Sequence, residues 1–359
     1  MIYLDYSKAF DTVPHRRLLQ KLADYGITGN VLRWIEEYLT GRKMRVRVRG
    51  HESSWVLVRS GVPQGSVLGP LLFLLYVNEL PTWIRSSIAM FADDTKIWRK
   101  ISKAEDATLL QEDLNKIRTW TETSLMDFNV DKCKVMHVNH SLETSYTLER
   151  DGKDCRLLEV REERDLGVMV RSDLKVELQC EKASSVLGLI NRHIKDLDID
   201  SFRILYKSFV RPHLEYCVQV WSPYLRKDIE ILEKVQRRAT RLVTGMRKTG
   251  YEERLRVIGL QTLEQRRIRG DMLEVYKILT GREDVDWRQY FVRADGECGT
   301  RGHSLKLYKP RCRTSLRAGF FSQRIVENWN RLPREVVEAP SMCSFKARYD
   351  GWKRNEGNV

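Results

Sequence analysis

The stretch FADDTKIW, residues 91–98, carries most of the information about the fold. Apolar residues flank Asp93 and Asp94 from about residue 88 to residue 98, and this pattern predicts a β-hairpin with both aspartates at its tip. Because Phe91 and Ala92 are apolar, we expect the hairpin to belong to the buried core, where an ionised carboxylate is costly unless a cation compensates it. The alternative is an ordinary turn, since aspartate favours turns for local reasons.

A third carboxylate lies near the start of the chain, in YLDYSKAFDTV at residues 3–13. Residues 1–10 are predicted to form a strand, in which Tyr3 and Asp5 face one side while Ile2 and Leu4 face the other. A strand with one aspartate beside a hairpin with two more can gather carboxylates around two divalent cations about 3.5–4 Å apart. Mg²⁺ prefers such hard oxygen ligands.

A glycine-rich segment, SGVPQGSVLGP at residues 60–70, is the second group of residues that indicates chemistry. Gly61, Gly65 and Gly69 recur every fourth residue around Pro63, which predicts a tight loop that leads into a helix. Such a loop lets the backbone approach a ligand closely, and Gln64 offers both a donor and an acceptor. A plain loop-to-helix connection is the alternative, because the segment matches neither the P-loop nor the dinucleotide-binding pattern.

The remaining periodicity predicts mixed structure first and mainly helical structure after about residue 175. The predicted helices cover 15–40 in two pieces, the segment from Pro70 to about Leu80, 104–124, 176–194, 200–211, 227–244, 262–280 and 319–332. The predicted strands cover 45–49, 55–58, 134–138 and 165–170. In the strand at 45–49, arginine at every second position gives one basic face. The fold class is therefore α+β.

Charge points to a polyanionic partner. The chain carries a net charge of +14, and residues 1–150 hold 21 Lys+Arg against 18 Asp+Glu, whereas the rest hold 42 against 31. The basic excess thus lies in the C-terminal part, where Lys234, Arg237, Arg238 and Arg241 share one face of a predicted helix. Each could reach a phosphate and bind nucleic acid independently of its sequence; a solvated face is the alternative. No stretch has the length of a membrane span, and the scattered cysteines favour a reducing, intracellular compartment.

Together these motifs resemble the reverse transcriptase family. YLDYSKAFDTV is similar to motif A, SGVPQGSVLGPLLF to motif B, FADDTKIW to motif C and NVDKCKVM (129–136) to motif D, while DLGVMV (165–170) resembles the primer-gripping strand. WIEEYLTGRK and YVNELP, together with LYKSFVRPHLEYCVQVWSP (205–223) and FFSQRIVENWNRLPREVVEA (320–339), are closest to jockey-like non-LTR (LINE-type) retrotransposons. The resemblance covers nearly the whole chain.

The resemblance implies a role for individual residues. Asp5, Asp93 and Asp94 would hold two Mg²⁺ ions, with Mn²⁺ as a substitute, and the Tyr6 carbonyl would add a ligand. Phe10 would be the steric gate that favours deoxynucleotides. Gln64 and Gly65 would line the incoming nucleotide, and Lys132 would lie near the leaving pyrophosphate, with a solvated lysine as its alternative. The partners would be an RNA template, a DNA primer and dNTPs.

The same resemblance implies an organisation. Residues 1–172 would be a reverse transcriptase palm of the right-hand polymerase type, 173–285 a helical, basic thumb-like region and 286–359 a C-terminal region. Motif A begins at residue 3, so we expect the fingers to be largely missing and the chain to be truncated. The predicted function is RNA-directed DNA synthesis at a nuclear site. The alternatives are a catalytically inactive nucleic-acid-binding remnant and an interaction protein in which Asp93 and Asp94 form only a turn.

Overall fold

The computed structural model describes residues 1–139, 144–150, 152–175, 177–294 and 302–356, without the side chains of residues 177 and 356. The chain forms two compact units. Unit 1 consists of Met1–Glu163 and Arg171–Leu174, and unit 2 consists of Arg164–Val170 and Lys175–Val359. Most of residues 1–172 lie in unit 1, but residues 164–170 belong to unit 2, which also holds residues 175–359. The assignment of these parts as palm, thumb-like and C-terminal regions stays a prediction.

Unit 1 combines short strands with helices. Its strands are β1 (Ile2–Leu4), β2 (Lys43–Met44), β3 (Arg47–Val48), β4 (His51–Glu52), β5 (Val56–Leu57), β6 (Ser87–Phe91), β7 (Asp94–Trp98), β8 (Lys134–Val135), β9 (Thr147–Arg150), β10 (Lys153–Arg156) and β11 (Leu158–Glu159). Its helices are α1 (Ala9–Thr12), α2 (His15–Asp24), α3 (Gly29–Leu39), α4 (Leu68–Val77) and α5 (Ala104–Ser124), with a 3₁₀ turn at Leu80–Trp83. Strands β12 (Glu162–Asp165) and β13 (Val168–Arg171) contain the boundary with unit 2.

A five-stranded sheet in the order β11-β8-β1-β7-β6 forms the centre of unit 1. Strand β1 is antiparallel to both of its neighbours, but β11 runs parallel to β8. The prediction of an antiparallel sheet is therefore confirmed for β1 and its neighbours but not for β11. Side chains alternate between the two faces of a strand, and β1 buries Ile2, Leu4 and the following Tyr6. The Tyr6 ring contacts Phe73 of α4 and Trp120 of α5, with both pairs of ring centroids 6.4 Å apart. The two helices therefore cover this face, and the other face remains open.

Two predicted strands of unit 1 differ from the structure, and one hairpin of the structure was not predicted. The predicted strand 1–10 ends at Leu4, because Lys8 has a left-handed backbone (φ 54°) and begins helix α1. The predicted strand 45–49 is reduced to β3, since Arg49 is also left-handed and the chain turns back into β4. The hairpin β9–β10 was not predicted, because its strands are largely polar and lack a clear period of two.

Unit 2 is mainly helical. Its helices are α6 (Glu177–His193), α7 (Ile199–Leu205), α8 (Pro212–Glu215), α9 (Arg226–Thr240), α10 (Tyr251–Ile258), α11 (Leu263–Leu279), α12 (Ser315–Ala318), α13 (Phe321–Arg324), α14 (Val326–Asn330), α15 (Arg334–Val337) and α16 (Met342–Glu356), with a π-helical turn at Tyr206–Val210, a 3₁₀ turn at Trp287–Gln289 and strands β14 (Val292–Arg293) and β15 (Leu307–Tyr308). The predicted helix 319–332 begins only after Phe320, whose backbone is extended, and is divided into α13 and α14 at Ile325. Nothing in the described part of the chain forms a helix long and apolar enough to cross a membrane.

Two hydrophobic clusters fill unit 2, and helix α11 contributes to both. The first runs from Val168 to Leu263, and the second from Met272 to Tyr349. Leu263, at the start of α11, belongs to the first cluster, whereas the residues after Met272 belong to the second. One helix thus joins the predicted thumb-like and C-terminal regions.

Candidate active site

The predicted hairpin at residues 88–98 is present. Strands β6 and β7 are antiparallel, with Phe91 opposite Asp94, so Ala92 and Asp93 form the two-residue turn and Asp94 begins β7. Ala92 adopts a left-handed backbone (φ 51°), as tight hairpin turns require. The expectation that the hairpin tip is buried is wrong: Phe91 is 66% exposed and both aspartates are exposed. A surface tip needs no cation to offset desolvation, so this reason for a metal site disappears.

The pairing of β1 with β7 brings Asp5 towards Asp94. Ile2 lies opposite Ile97 and Leu4 opposite Thr95, so the next step of the same register places Asp5 opposite Asp94. Directly opposed residues project from the same face, with Cβ atoms about 4.5–5.5 Å apart. Leu4 and Thr95 are buried, which leaves the two carboxylates on the open face. The predicted alternation of Tyr3 and Asp5 against Ile2 and Leu4 is thus confirmed.

The main-chain carbonyl of Tyr6 points towards the same hairpin. The Asn129 amide donates to the Asp5 carbonyl (2.7 Å) and the Ser7 amide to the Asp127 carbonyl (2.8 Å). These two bonds flank Tyr6, so its own amide and carbonyl face away from residues 127–129 and towards the β7 side. Burial, assisted by the nearby negative charge of Asp93, raises the pKa of the Tyr6 hydroxyl. Asp93 therefore lies within electrostatic range of the Tyr6 side chain.

Lys132 contacts the first of these carboxylates. The chain turns after Asn129, whose carbonyl accepts from the Lys132 amide (2.9 Å), and strand β8 follows. The turn leaves Lys132 Nζ 3.5 Å from Asp5 Oδ1, with both side chains partly exposed. A cation in this position partly balances the carboxylates on the open face.

The glycine-rich loop packs directly against helix α1. Gly61 donates to the Val13 carbonyl (2.8 Å), and Val62 donates to the Phe10 carbonyl (2.8 Å). A Cβ atom on Gly61 would lie 2.7–2.8 Å from backbone atoms of Phe10 and Asp11, so the contact requires glycine. The loop then enters helix α4, as predicted from the spacing of glycines.

Replacing Gly61 by alanine is expected to destabilise unit 1 by about 2–3 kcal/mol, because it combines a positive φ (+89°) with a backbone collision. Gly65→Ala is the matched control, since Gly65 also has a positive φ (+80°) but has open space around it. Urea unfolding followed by circular dichroism measures both. Equal losses in the two variants would mean that the close approach to α1 contributes nothing.

Three residues that were not among the predicted site residues hold this loop in place: Asp11, His15 and Arg42. Gln64 Nε2 lies 3.3 Å from Asp11 Oδ1, which ties the predicted nucleotide-binding glutamine to the end of motif A. The buried His15 ring bonds the Gly61 carbonyl (2.8 Å), and Arg42 donates to the same carbonyl (3.2 Å). Asp11 lies within motif A, but no local sequence pattern marks His15 or Arg42 as residues that support the loop.

Phe10 lies beside the loop and rests on the core. Its ring stacks on the buried ring of Phe73, with centroids 4.6 Å apart and planes 22° apart, while part of Phe10 remains exposed. Its backbone is clamped by Val62. A half-exposed ring that is held from below can present a rigid surface to a ligand above it.

In unit 2, the four basic residues predicted to share a helix face are exposed. Lys234, Arg237 and Arg238 lie on α9 and Arg241 directly follows it, whereas Leu232, Val235 and Ala239 of the same helix are buried. Arg238 also donates to Ser184 of α6 (2.6 Å). The groove between these helices has a volume of about 560 Å³ and includes Lys234 and Arg238.

The described side chains do not form a closed metal cage. Within these residues, no three His, Cys, Asp or Glu side chains come close enough together to hold one ion. The donors at the open face are nevertheless of the kind that Mg²⁺ uses, because one or two carboxylates suffice where phosphate and water complete the shell. Asp5, Asp93 and Asp94 with the Tyr6 carbonyl fit that requirement in chemistry.

Much of this chain is similar in sequence to known proteins. Residues 1–171 match the family model described as reverse transcriptase (RNA-dependent DNA polymerase). The RNA-directed DNA polymerase from mobile element jockey is 27% identical over 263 residues in Drosophila funebris and 28% identical over 274 residues in Drosophila melanogaster. These alignments cover 68% and 71% of this chain but only 28% and 30% of the relatives. A Drosophila melanogaster protein, the probable RNA-directed DNA polymerase from transposon X-element, is 26% identical over 68% of this chain and 28% of its own length.

A telomerase structure from Candida albicans, in complex with a fragment of telomeric RNA, aligns with 82% of this chain and 51% of that chain. The sequence identity is 14% and the TM-score is 0.33, which is too low to indicate a shared fold.

Proposed function

Because residues 1–171 of this chain belong to the reverse transcriptase family, in the jockey-like non-LTR branch, we propose that the chain performs RNA-directed DNA synthesis, extending a DNA primer with dNTPs on an RNA template. The observation that supports this best is the register of β1 and β7, whose continuation by one residue would bring Asp5 opposite Asp94, beside Asp93 in the turn. The chain spans less than a third of the length of these relatives, so the activity of the whole protein is part of the proposal.

Each residue of the site has a part in this reaction. Asp5, Asp93, Asp94 and the Tyr6 carbonyl would hold two Mg²⁺ ions, for which Mn²⁺ can substitute. When bound, such ions lower the pKa of the primer hydroxyl and neutralise the triphosphate. Gln64 and Gly65 would orient the nucleotide, because their loop is anchored to α1 next to Phe10. Lys132, which forms an ion pair with Asp5 here, would instead stabilise the negative charge of the departing pyrophosphate or donate a proton to it.

The direct test is primer extension by the full chain on an RNA template with dNTPs and Mg²⁺, with and without EDTA. Metal-dependent extension supports the proposal. Failure to extend, in a chain that binds the primer–template duplex, would favour the alternative of an inactive nucleic-acid-binding remnant. A chain that neither extends the primer nor binds the duplex would favour an interaction protein.

Phe10 is the proposed gate against ribonucleotides. Its ring is supported by Phe73, so it cannot retreat when a ribose 2′-hydroxyl approaches. Phe10→Ala is expected to raise the use of NTPs relative to dNTPs by at least about tenfold. Single-nucleotide incorporation with matched dNTP and NTP measures the ratio. Phe209→Ala, which removes an exposed phenylalanine of unit 2, controls for a general loss of aromatic surface. An unchanged ratio in the Phe10 variant would contradict the gate.

The basic face of α9 is proposed to bind the nucleic-acid backbone. Replacing Lys234, Arg237, Arg238 and Arg241 by glutamine is expected to weaken duplex binding equally for all sequences. It should also lower the slope of log K against log salt by up to about 3.6, at roughly 0.9 for each lost phosphate contact. Fluorescence anisotropy over a salt series measures this slope. Arg311→Gln/Arg313→Gln removes two exposed charges elsewhere in unit 2 as a control, and a slope reduced equally by both sets would contradict a specific face.

The nuclear site of action implied by the jockey-like relatives is also part of the proposal. It concerns where the primer and template would be found, and a fluorescently tagged chain in cells would test it.

A further inference from the structure

An exposed β-structure that the proposed mechanism does not use projects between helix α3 and the glycine-rich loop. We call this segment, residues 42–59, the arm. Its inner ladder pairs β2 with β5, and its outer ladder pairs β3 with β4. Most of its side chains are exposed, including Met44, Trp55 and the arginines at 45, 47, 49 and 59, whereas Arg42 and Val58 at its base are partly buried. The basic alternation at 45–49 predicted from the sequence therefore belongs to a surface element.

The two faces of the arm differ in chemistry. Lys43, Arg45 and Arg47 alternate with Met44, Val46 and Val48, and residues that alternate in an extended segment project to opposite faces. Arg45 and Arg47 both form ion pairs with Glu52, which confirms that they share a face. One face is thus mainly basic, with Leu57 opposite Lys43, and the other is mainly apolar, with His51 opposite Val48.

An aromatic ring completes the basic face. Trp55 is 58% exposed, and the guanidinium of Arg45 lies 4.6 Å from its ring centroid. Arg45 is itself held by Glu52. One side of the indole is therefore supported by a fixed cation, and the other remains available for a flat partner. A planar group that stacks there would complete a cation–indole sandwich.

The base of the arm is attached to the loop that carries Gln64. The Arg42 guanidinium donates to the carbonyls of Leu39 (3.0 Å) and Gly61 (3.2 Å), and the Val58 amide donates to the Arg42 carbonyl (2.9 Å). Gly61 in turn packs on Asp11, which bonds Gln64. A strand held on the arm would therefore be anchored next to the proposed nucleotide site.

The charge of the arm specifies the class of ligand. Residues 42–59 contain six lysines and arginines and a single acidic residue, Glu52. Exposed aromatic rings with interleaved cations bind single-stranded nucleic acid, because unpaired bases can stack while phosphates meet the cations. A duplex hides its base faces and could use only the charges.

We propose that the basic face of the arm binds single-stranded template RNA, with a base stacked on Trp55 and phosphates contacted by Lys43 and Arg47. This inference rests on the proposed function for the identity of the strand as template. The binding surface itself depends only on the geometry and charge of the arm.

The test is binding of a short fluorescein-labelled oligouridylate to the full chain, followed by fluorescence anisotropy. Trp55→Ala is expected to weaken binding about tenfold through the loss of stacking, and Trp55→Phe should retain most of the affinity. Arg47→Gln should lower the single-strand salt slope by about 0.7. Val48→Thr, an exposed change on the apolar face of the same arm, is the matched control and should bind like the original chain. Unchanged thermal melting shows that each variant is folded.

The outcomes separate this inference from the proposed function. Weaker oligouridylate binding by Trp55→Ala in a chain that extends no primer would support the arm site and reject the polymerase. Extension by the original chain, with equal RNA binding by Trp55→Ala and Val48→Thr, would overturn the arm site alone. A 4-thiouridine oligonucleotide that forms no photocrosslink within residues 42–59 would also overturn it.

Discussion

Replacing Asp93 and Asp94 together by asparagine is expected to lower the rate of primer extension by at least about a thousandfold. Asparagine keeps the size and turn preference of aspartate but removes the negative charge. Asp93 in the turn and Asp94 at the start of β7 are both exposed, so their replacement should leave the fold unchanged. The effect should appear in the rate at saturating dNTP, because the charge acts on the reacting groups.

The control for this result is Asp154→Asn, which removes an exposed carboxylate from strand β10 of the same unit. It should extend primers like the original chain. Asp5→Asn should behave like the double variant, since the register of β1 and β7 puts Asp5 opposite Asp94. Binding of Mn²⁺, followed by electron paramagnetic resonance, gives a second readout that does not depend on activity. Variants that retain both extension and Mn²⁺ binding would reduce Asp93–Asp94 to an ordinary turn.

Arg324→Ala is expected to destabilise unit 2 by about 3–5 kcal/mol, because it leaves a buried carboxylate without its partner. The Arg324 guanidinium forms two bonds with Asp271 of α11, at 2.9 and 2.8 Å, and also donates to the Val218 and Gly319 carbonyls. Asp271 is only 4% exposed. The pair therefore joins three separate parts of unit 2 through a buried carboxylate and a largely buried guanidinium.

The loss should depend on pH with a definite sign. Burial raises the pKa of the Asp271 carboxyl despite the opposing effect of Arg324, so removing Arg324 should raise this pKa further. The folded state then binds the proton more tightly than the unfolded state, and stability falls as pH rises from the ordinary value of the carboxyl through the raised pKa. The deficit of Arg324→Ala should accordingly be smaller in acid than at neutral pH.

Urea unfolding of the second unit, followed by circular dichroism, measures these effects. Arg331→Ala removes an exposed arginine seven residues away and should change stability by no more than about 0.5 kcal/mol. Replacing the pair together, as Arg324→Met/Asp271→Leu, should cost less than the single change, because the buried carboxylate is removed with its partner. Part of the cost should remain, since the buried Arg267 loses the attraction of Asp271. Similar midpoints for Arg324→Ala and Arg331→Ala would show that the buried pair does not hold these elements together.

Local patterns predicted the elements near the site well. Helix 104–124 was predicted with the bounds that the structure has, and the hairpin of β6 and β7 was predicted to within a residue. Such elements depend on residues that are near in sequence, so a period of 3.6 or 2 reveals them. The prediction that the hairpin is buried was wrong for the same reason. Apolar residues such as Phe91 show the period, but they do not show whether another element covers them.

The amino-acid sequence by itself determined which residue types are available and on which face of each element they lie. It indicated that Asp5 and Leu4 project from opposite faces of a strand, and that two aspartates lie at a turn. Only the tertiary structure decided which of these residues meet. Lys132 reaches Asp5 across 127 residues of chain, Arg324 reaches Asp271 across 53, and Gln64 reaches Asp11 across 53. Such contacts depend on how whole elements pack, and side-chain periodicity carries no information about partners at that distance along the chain.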